Sequence, residues 1–313
     1  MLMISSTGQI TRVTGIGTRE NPAIQTLDLS VPGYSLKDAL ARAIDTTNVV
    51  NPIDLLALQV LATPGPVPCG ALGFNNGVLT ISEVACAVQL KPSTVIVSIG
   101  NNDALASLLF GVAPTNRAEF ALEYAQLLQA LASTGAKIVV GNIPDVTAIP
   151  FLVPAPAFQV ACGFLPPGVT MADFLVPDLT SPSASFNVCT NFAVRSAALI
   201  TQVKAAVSDY NAIIAAEANA AGAVVVDVNG LFSRVAQNGV EVNGRRLTTG
   251  FLGGLFSLDA IHPSNTGYAI LANEYIATMN RAFGAGIAPV SVEQIAKTDP
   301  LLPPRRGNGR HNP

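Results

Sequence analysis

The stretch from Ser93 to Asp103 decides the fold, and it reads STVIVSIGNND. Its first part is apolar and β-branched without polar alternation, which is typical of a strand that is covered on both faces of a parallel sheet. The run ends at Gly100, and the polar residues Asn101, Asn102 and Asp103 follow. In open α/β sheets, ligands bind at the carboxyl ends of the strands. The stretch therefore predicts a parallel sheet with a candidate site after Gly100.

Strand and helix patterns alternate on both sides of this stretch, which favours a doubly wound α/β fold. We expect α/β architecture, as a three-layer α/β/α sandwich whose sheet is mainly parallel. The predicted strands are residues 25–31, 93–99, 137–141 and 223–228, all parallel. Helical patterns are predicted for residues 35–45, a short run from 52, 82–89, 118–133, 195–221 and a run after 264.

The chain divides into three parts. Residues 1–24 have little periodicity and read as an irregular N-terminal segment, with a hairpin around Ser6 to Gly8. Residues 25–288 form the α/β domain, and the Pro- and Ser-rich residues 145–191 are either an ordered lid or an insertion beside the site. Residues 289–313 are a C-terminal tail, whose His311 we expect to be disordered and without a role.

The composition excludes some classes of partner. Only 12% of the 313 residues are charged and the net charge is −3, so we expect no nucleic acid partner. Charges, prolines or glycines break the apolar stretches before they reach the roughly 18 residues of a membrane span, so no transmembrane segment is expected. The first residues, MLMISSTGQITR, lack the pattern of a secretory signal.

Four cysteines form two local couples. Cys69 and Cys86 flank a Gly-rich stretch, and Cys162 and Cys189 flank a Pro-rich stretch. No CxxC spacing suggests zinc. We expect each couple to form a disulfide that closes its own loop, which would imply an oxidising compartment. The alternative is four reduced thiols that pack as small apolar side chains.

Asp259 and His262 are the candidate catalytic pair. They stand three residues apart in DAIHP, and the following Pro263 and Ser264 favour a loop that enters a helix. A tight turn would let the aspartate reach Nδ1 of the histidine and leave Nε2 free as a base, as in nucleophilic hydrolases. The alternative is a surface turn that contains both residue types by chance.

Two further residues have the donor types that an oxyanion hole requires. These are the backbone N–H of Gly33 and the side-chain amide of Asn102. The alternatives are a plain helix-entry turn at Gly33 and a helix-capping role for Asn102. If the fold is as predicted, both residues lie at the same end of the sheet as His262.

Three blocks of this sequence resemble the SGNH, or GDSL-type, hydrolases: VPG at 31–33, GNND at 100–103 and DAIHP at 259–263. They stand in the family's order. The resemblance implies a flavodoxin-like SGNH-hydrolase fold and a serine hydrolase acting on carboxylic esters, whose substrate is a small molecule or a lipid. It also implies that Gly33 and Asn102 are oxyanion donors, that Asp259 orients His262 as the base, and that no metal or organic cofactor is needed.

The family's first block, a strand followed by a Gly-Asp-Ser turn with the nucleophile, has no match in this sequence. Ser5 and Ser6 lack the preceding Gly-Asp and the following helix entry. We therefore expect that the chain begins after the first strand and that a complete form is secreted or periplasmic. The rivals are a non-catalytic binding or structural protein on the same fold and an unrelated nucleotide-binding domain, although no Gly-rich phosphate loop is present. The reading frame upstream of Met1 would separate the hydrolase from the binding protein, because an upstream Gly-Asp-Ser block restores the enzyme and its absence favours the binding protein.

Overall fold

The computed structural model describes residues 2–4, 10–12, 27–45, 52–61, 69, 74–75, 78–179 and 187–302. Its helices are α1 (Leu36–Ala41), α2 (Pro52–Leu61), α3 (Glu83–Gln89), α4 (Asn101–Phe110), α5 (Arg117–Ala132), α6 (Ala155–Cys162), α7 (Ala197–Ala221), α8 (Val228–Asn238), α9 (Asn265–Phe283) and α10 (Val292–Thr298). Its strands are β1 (Leu2–Ile4), β2 (Ile10–Arg12), β3 (Ile44–Asp45), β4 (Phe74–Asn75), β5 (Val78–Leu79), β6 (Thr94–Val97), β7 (Lys137–Gly141), β8 (Val153–Pro154), β9 (Phe174–Pro177), β10 (Phe192–Arg195), β11 (Val224–Val226), β12 (Val240–Val242) and β13 (Arg245–Leu247).

The central sheet is parallel and has the order β11–β7–β6. Three of the four predicted parallel strands are therefore confirmed, although β6 and β11 are shorter than the predicted 93–99 and 223–228. Alternate residues of β7 enter different apolar clusters: Val140 packs with residues of α5 and α7, whereas Val139 packs with Tyr275 of α9. Strand β7, the central strand, is thus buried on both faces, as its β-branched run predicts, whereas Ile96 of β6 is exposed.

The fourth predicted strand, residues 25–31, is wrong over its described part, because residues 27–31 form no strand. Its backbone donors bind side chains instead. The Ser30 N–H donates to Oδ1 of Asp28 at 3.1 Å, and the Val31 N–H donates to Oε1 of Glu83 at 2.7 Å. An aspartate that binds the backbone two residues away competes with a strand ladder, and no adjacent strand is present in the described chain to outweigh it.

Helix boundaries follow the capping residues. Ser35 caps α1 in a reciprocal arrangement with Asp38, but α1 ends at Ala41 and residues 44–45 form β3 instead of the last turn expected for 35–45. The long helix α7 begins after Ser196, its N-cap, and Gly222 ends it in the left-handed conformation. The helix predicted from Arg195 therefore starts two residues later, since Arg195 belongs to β10.

The Pro- and Ser-rich region is ordered where it is described. It contains a short 3₁₀ turn, α6 and the strands β8 and β9, which form an antiparallel sheet with β10. Both expected disulfides are present, Cys69–Cys86 and Cys162–Cys189. The reduced-thiol alternative is therefore wrong for this structure.

The start of the chain contains a strand pair, and the predicted tail contains a hydrogen-bonded segment. Strands β1 and β2 pair as an antiparallel hairpin, at the place where the sequence suggests one. The predicted tail begins with an ordered part, because Oδ2 of the buried Asp299 accepts hydrogen bonds from both the N–H and the hydroxyl of Thr266. This contact holds the segment after α10 against the start of α9. His311 lies outside the described residues, and the three-part division of the chain stays a prediction.

Candidate active site

Asp259 and His262 lie on a closed loop between residues 256 and 263. The loop is shut at its base by the Ser257 N–H, which donates to the His262 carbonyl at 2.7 Å, and by an antiparallel bridge between Phe256 and Pro263. Within it, Nδ1 of His262 lies 2.7 Å from Oδ2 of Asp259. The hydrogen bond expected from the spacing is therefore formed. It engages Nδ1 and leaves Nε2 outside this pair.

The Asp259 carboxylate is held by four donors. Besides the imidazole on Oδ2, its Oδ1 accepts the Ser257 hydroxyl at 2.6 Å and the N–H groups of Ile261 and His262 at 2.9 Å each. Each of these bonds restricts rotation of the carboxylate. Asp259 therefore presents one fixed oxygen to the imidazole, which sets the orientation of the ring.

These contacts shift both pKa values in the directions that a base and its orienting group need. Burial alone would raise the pKa of Asp259, but the hydrogen bonds from His262, Ser257 and the backbone outweigh it and lower that pKa to about 2. The hydrogen bond to Asp259 raises the pKa of His262, and partial burial opposes it. Asp259 is therefore ionised across the physiological range, and His262 is a stronger base than a free imidazole.

The loop is braced from outside by the Pro- and Ser-rich region. Ala260 adopts a positive φ of 62°, which is uncommon for a residue with a side chain. Its carbonyl accepts a hydrogen bond from the Phe151 N–H at 3.0 Å, and both residues are buried. Residue 151 belongs to the segment 145–191, so part of that segment packs against the loop of residues 256–263.

The loop leads directly into α9. Ser264 caps this helix by accepting the Gly267 N–H, while its own hydroxyl donates to the Gly254 carbonyl at 2.8 Å. Ser264 is buried, so both bonds are shielded from water. The cap therefore fixes the direction in which the chain leaves His262.

Gly33 lies on a turn that is joined to the first turn of helix α4, where Asn102 lies. Gly33 has a φ of 90°, which favours glycine, and Nδ2 of Asn102 donates to the Tyr34 carbonyl at 2.8 Å. Next to Asn102, Oδ2 of the buried Asp103 accepts the Leu36 N–H at 2.9 Å. One N–H of the Asn102 amide thus joins α4 to the Gly33 turn, and its second N–H has no partner within the described residues.

The predicted site residues share one cavity. Gly33, Asn102 and His262 all line a cavity of about 1210 Å³ that extends along the whole of β6, from Ser93 to Gly100. Val146 and Ile149 of the segment 145–191 line it as well. The cavity wall thus contains an imidazole, a side-chain amide and a glycine turn, which are the residue types that the sequence predicts for a hydrolase site. No hydrogen-bond partner of Nε2 lies within the described parts of the chain, and Ser5 and Ser6 lie outside them.

Two contributors to this site were missed by the sequence analysis. Ser257 holds Asp259, and a signal was present, since a small hydroxyl residue two positions before the aspartate can reach its carboxylate. Asp103 holds the Gly33 turn through Leu36, 67 residues away in the chain. No local pattern could reveal that contact.

The described residues contain neither a membrane-spanning helix nor a metal-binding cluster, and one family model matches most of the chain. No described helix combines the length and apolarity that crossing a bilayer requires. The described residues also hold no group of three or more His, Cys, Asp and Glu side chains placed to bind a metal. Neither a curated protein nor a solved structure gives a significant match. Residues 16–275, well over half of the chain, match the family model described as GDSL-like Lipase/Acylhydrolase. The chain therefore belongs to the GDSL-like lipase/acylhydrolase family.

Proposed function

We propose that this chain forms most of the catalytic domain of a serine-type ester hydrolase in which His262 is the general base. The observation that carries the proposal is the 2.7 Å hydrogen bond between Nδ1 of His262 and Oδ2 of Asp259, beside a cavity that Gly33 and Asn102 also line. The family is one of ester hydrolases, and these residues occupy the blocks of the chain that resemble its motifs.

In the proposed mechanism a serine hydroxyl attacks the carbonyl carbon of an ester. Nε2 of His262 takes the hydroxyl proton while the new C–O bond forms, and Asp259 stabilises the resulting imidazolium. The Gly33 N–H and the second N–H of the Asn102 amide stabilise the negative charge on the carbonyl oxygen. The imidazolium then gives its proton to the departing alkoxide. Water repeats the sequence on the acyl-enzyme and releases the acid.

We also propose a finer architecture for the fold. Helices on both sides of the central sheet favour a three-layer α/β/α sandwich whose described part lacks one parallel strand. That strand would end beside His262 and bring the serine, because Asp259 and His262 form their hydrogen bond while Nε2 has no hydroxyl partner in the described chain. The substrate would be a small or lipid ester, and the two disulfides support an extracytoplasmic location.

Hydrolysis of p-nitrophenyl acetate and butyrate tests the proposal. The chain as printed should turn over no faster than its His262→Ala variant, since removing the nucleophile of a serine hydrolase costs on the order of a millionfold in turnover. A version extended upstream through a Gly-Asp-Ser turn should be active, and His262→Ala should abolish that activity. His311→Ala is the matched control and should change nothing.

Several results would contradict the proposal. If the chain as printed is active and Ser5→Ala or Ser6→Ala abolishes the activity, one of those serines is the nucleophile. Activity that survives His262→Ala would remove the assigned base. A folded, extended protein without activity would favour the alternative of a binding or structural protein on this fold.

A further inference from the structure

The chain after α9 turns back and runs along that helix. Oδ1 of Asn280 accepts the Ile287 N–H and its Nδ2 donates to the Ile287 carbonyl, both at 2.8 Å. The side chain of Asn273 binds the N–H and the carbonyl of Val290 in the same way, at 2.7 and 2.9 Å. Because later residues contact earlier parts of α9, the chain and the helix run in opposite directions. We call residues 285–302 the return segment.

A third contact joins the end of the return segment to the first turn of α9. Thr266 donates its backbone N–H and its hydroxyl to Oδ2 of Asp299, at 2.8 and 2.7 Å, and both residues are buried. The three helix residues in these contacts are seven positions apart, so they lie on one face of α9. Hydrogen bonds to a carboxylate are stronger than those to neutral groups, and a negative charge is favourable at a helix N-terminus. The contact at Asp299 is therefore the firmest of the three.

The end of the return segment contacts both stems of the loop of residues 256–263. Thr266 lies on the stem where the chain leaves the loop, and Asp299 holds it there. Gly254 lies on the stem where the chain enters, and Leu302 packs on it so closely that a Cβ at this glycine would lie 2.6 Å from Cδ2 of Leu302. Residues 299 and 302 thus hold the loop from outside, one stem each.

The hydrogen bonds within the loop fix its shape but not its direction. All four donors to Asp259 belong to residues 257–262, so they keep the imidazole oriented even when the loop turns on its stems as one body. A catalytic group also has to lie at the right place, since a misplacement of about 1 Å can cost about 10²-fold in rate. Contacts from outside the loop supply that placement, and the return segment makes two of them.

We propose that the return segment is a positioning element for the loop: Asp299 and Leu302 hold its two stems and so fix where His262 lies relative to the rest of the cavity wall. The proposal rests on the proposed function, because this placement matters for catalysis only if His262 is the base. Asp299 and Leu302 are positioning residues and touch no substrate. The hydrogen bond between His262 and Asp259 is internal to the loop and does not depend on them.

NMR of the chain as printed tests the placement without any reaction. In Asp299→Ala, ¹⁵N relaxation dispersion should show new motion on the microsecond-to-millisecond timescale for the amides of residues 256–263. Thr266→Val removes only one buried hydroxyl and should show the same motion, so it serves where Asp299→Ala does not fold. Thr266→Ser keeps the hydroxyl and should behave as the wild type. The titration of His262 should be unchanged in all three variants, because Asp259 still holds the ring.

Asn280→Ala is the matched control. It also removes two hydrogen bonds between α9 and the return segment, but it does so about 21 Å along the helix from Thr266. The protein should lose stability in urea denaturation, while the amides of residues 256–263 stay as in the wild type. Circular dichroism confirms that each variant is folded.

Kinetics of the extended, active form give the functional consequence. Asp299→Ala should lower kcat at least about tenfold and leave KM within about twofold, because the base is displaced while the rest of the cavity wall is unchanged. Thr266→Ser and Asn280→Ala should leave kcat within about twofold of the wild type.

The proposal is overturned if the amides of residues 256–263 in folded Asp299→Ala or Thr266→Val move no more than in the wild type. Equal new motion in Asn280→Ala would also overturn it, because the effect would then be a general loss of stability. So would a Thr266→Ser protein that behaves like Thr266→Val. Ester hydrolysis is scored separately: an extended form without activity contradicts the proposed function, and the NMR result still decides the role of the return segment.

Discussion

The loop of residues 256–263 and the groove between residues 27–33 and 93–100, which meet at His262, are built in opposite ways. In the loop, Asp259 is held by four hydrogen bonds that all come from residues within three positions of it. The groove is bounded by residues 27–33 and 93–100, which are 60 or more positions apart in the chain. The loop is thus held by local hydrogen bonds, whereas the groove depends on the packing of distant segments.

This difference teaches which part of the proposed chemistry tolerates change. Orientation of the base depends on one short segment, so it should survive changes in the groove. Positioning of a nucleophile depends on distant segments packed together, so it should be sensitive to their stability. The predictions below separate the two.

The largest effect is expected in the loop. In an extended, active form, Asp259→Asn should lower kcat by about 10³ to 10⁴, because the amide no longer selects the tautomer with Nε2 free. It should also lower the pKa of His262, since the carboxylate is what raises it. Steady-state kinetics and an NMR titration of His262 measure both effects.

The control for that variant is Asp209→Asn, on the exposed face of α7, which should leave kcat unchanged. His262 with an unaltered pKa in Asp259→Asn would show that the hydrogen bond in the loop does not control the base. The locally completed loop would then lose its assigned role.

The next largest effect is a loss of stability when the disulfide at the groove wall is removed. Replacing Cys69 and Cys86 by alanine should cost about 3 kcal/mol of unfolding free energy, because the bond restricts the unfolded chain and ties α3 at the groove wall. Urea denaturation measures this cost. The NMR signal of His262 should stay in place, because the loop of residues 256–263 is held by its own hydrogen bonds. Removal of Cys162–Cys189 is the matched control, and a His262 signal that shifts only when Cys69–Cys86 is removed would contradict the comparison.

The free energy of unfolding should also depend on pH through Glu83, which lies at the groove wall. Burial raises the pKa of Glu83, which binds the Val31 N–H at the groove wall, to about 7. A group whose pKa is raised on folding contributes stability at low pH, and that contribution is lost as the pH rises through the folded value. Unfolding free energy should therefore fall between about pH 4.5 and pH 7, by roughly 3 kcal/mol, and Glu83→Gln should remove most of that fall.

Denaturation of both proteins at several pH values between 4 and 8 tests this. Glu83→Asp is a useful second variant, because it keeps the charge and shortens the reach to Val31. An identical pH profile in wild type and Glu83→Gln would mean that the burial of this carboxyl has no energetic consequence.

The smallest effect is expected at Ser257. Ser257→Ala removes one hydrogen bond from Asp259, so the pKa of Asp259 should rise from about 2 and the protein should lose about 1 kcal/mol of stability. Ser257→Thr keeps the hydroxyl and should restore both. An Asp259 titration unchanged by Ser257→Ala would show that the remaining three donors suffice.

Much of the fold could be predicted because its signals are local. The β-branched runs at β6, β7 and β11 indicate strands covered on both faces, and caps such as Ser35, Ser264 and Gly222 place the helix ends. At residues 27–31 the pattern gave a wrong prediction, because no strand forms there. Alternating apolar residues describe an extended chain, but whether such a chain becomes a strand depends on a neighbouring strand that no local pattern contains.

What the sequence alone determined is the loop: the spacing in DAIHP brings Asp259 to His262, because a tight turn allows few other arrangements for residues three apart. Only the tertiary structure decided that Gly33, Asn102 and His262 line the same cavity, that Asp103 joins the start of α4 to the start of α1, and that Ile96 is exposed. The physical reason is the separation in sequence between the residues that make contact. Hydrogen bonds between near neighbours follow from the backbone's few allowed conformations, whereas contacts across tens of residues follow from how whole elements pack.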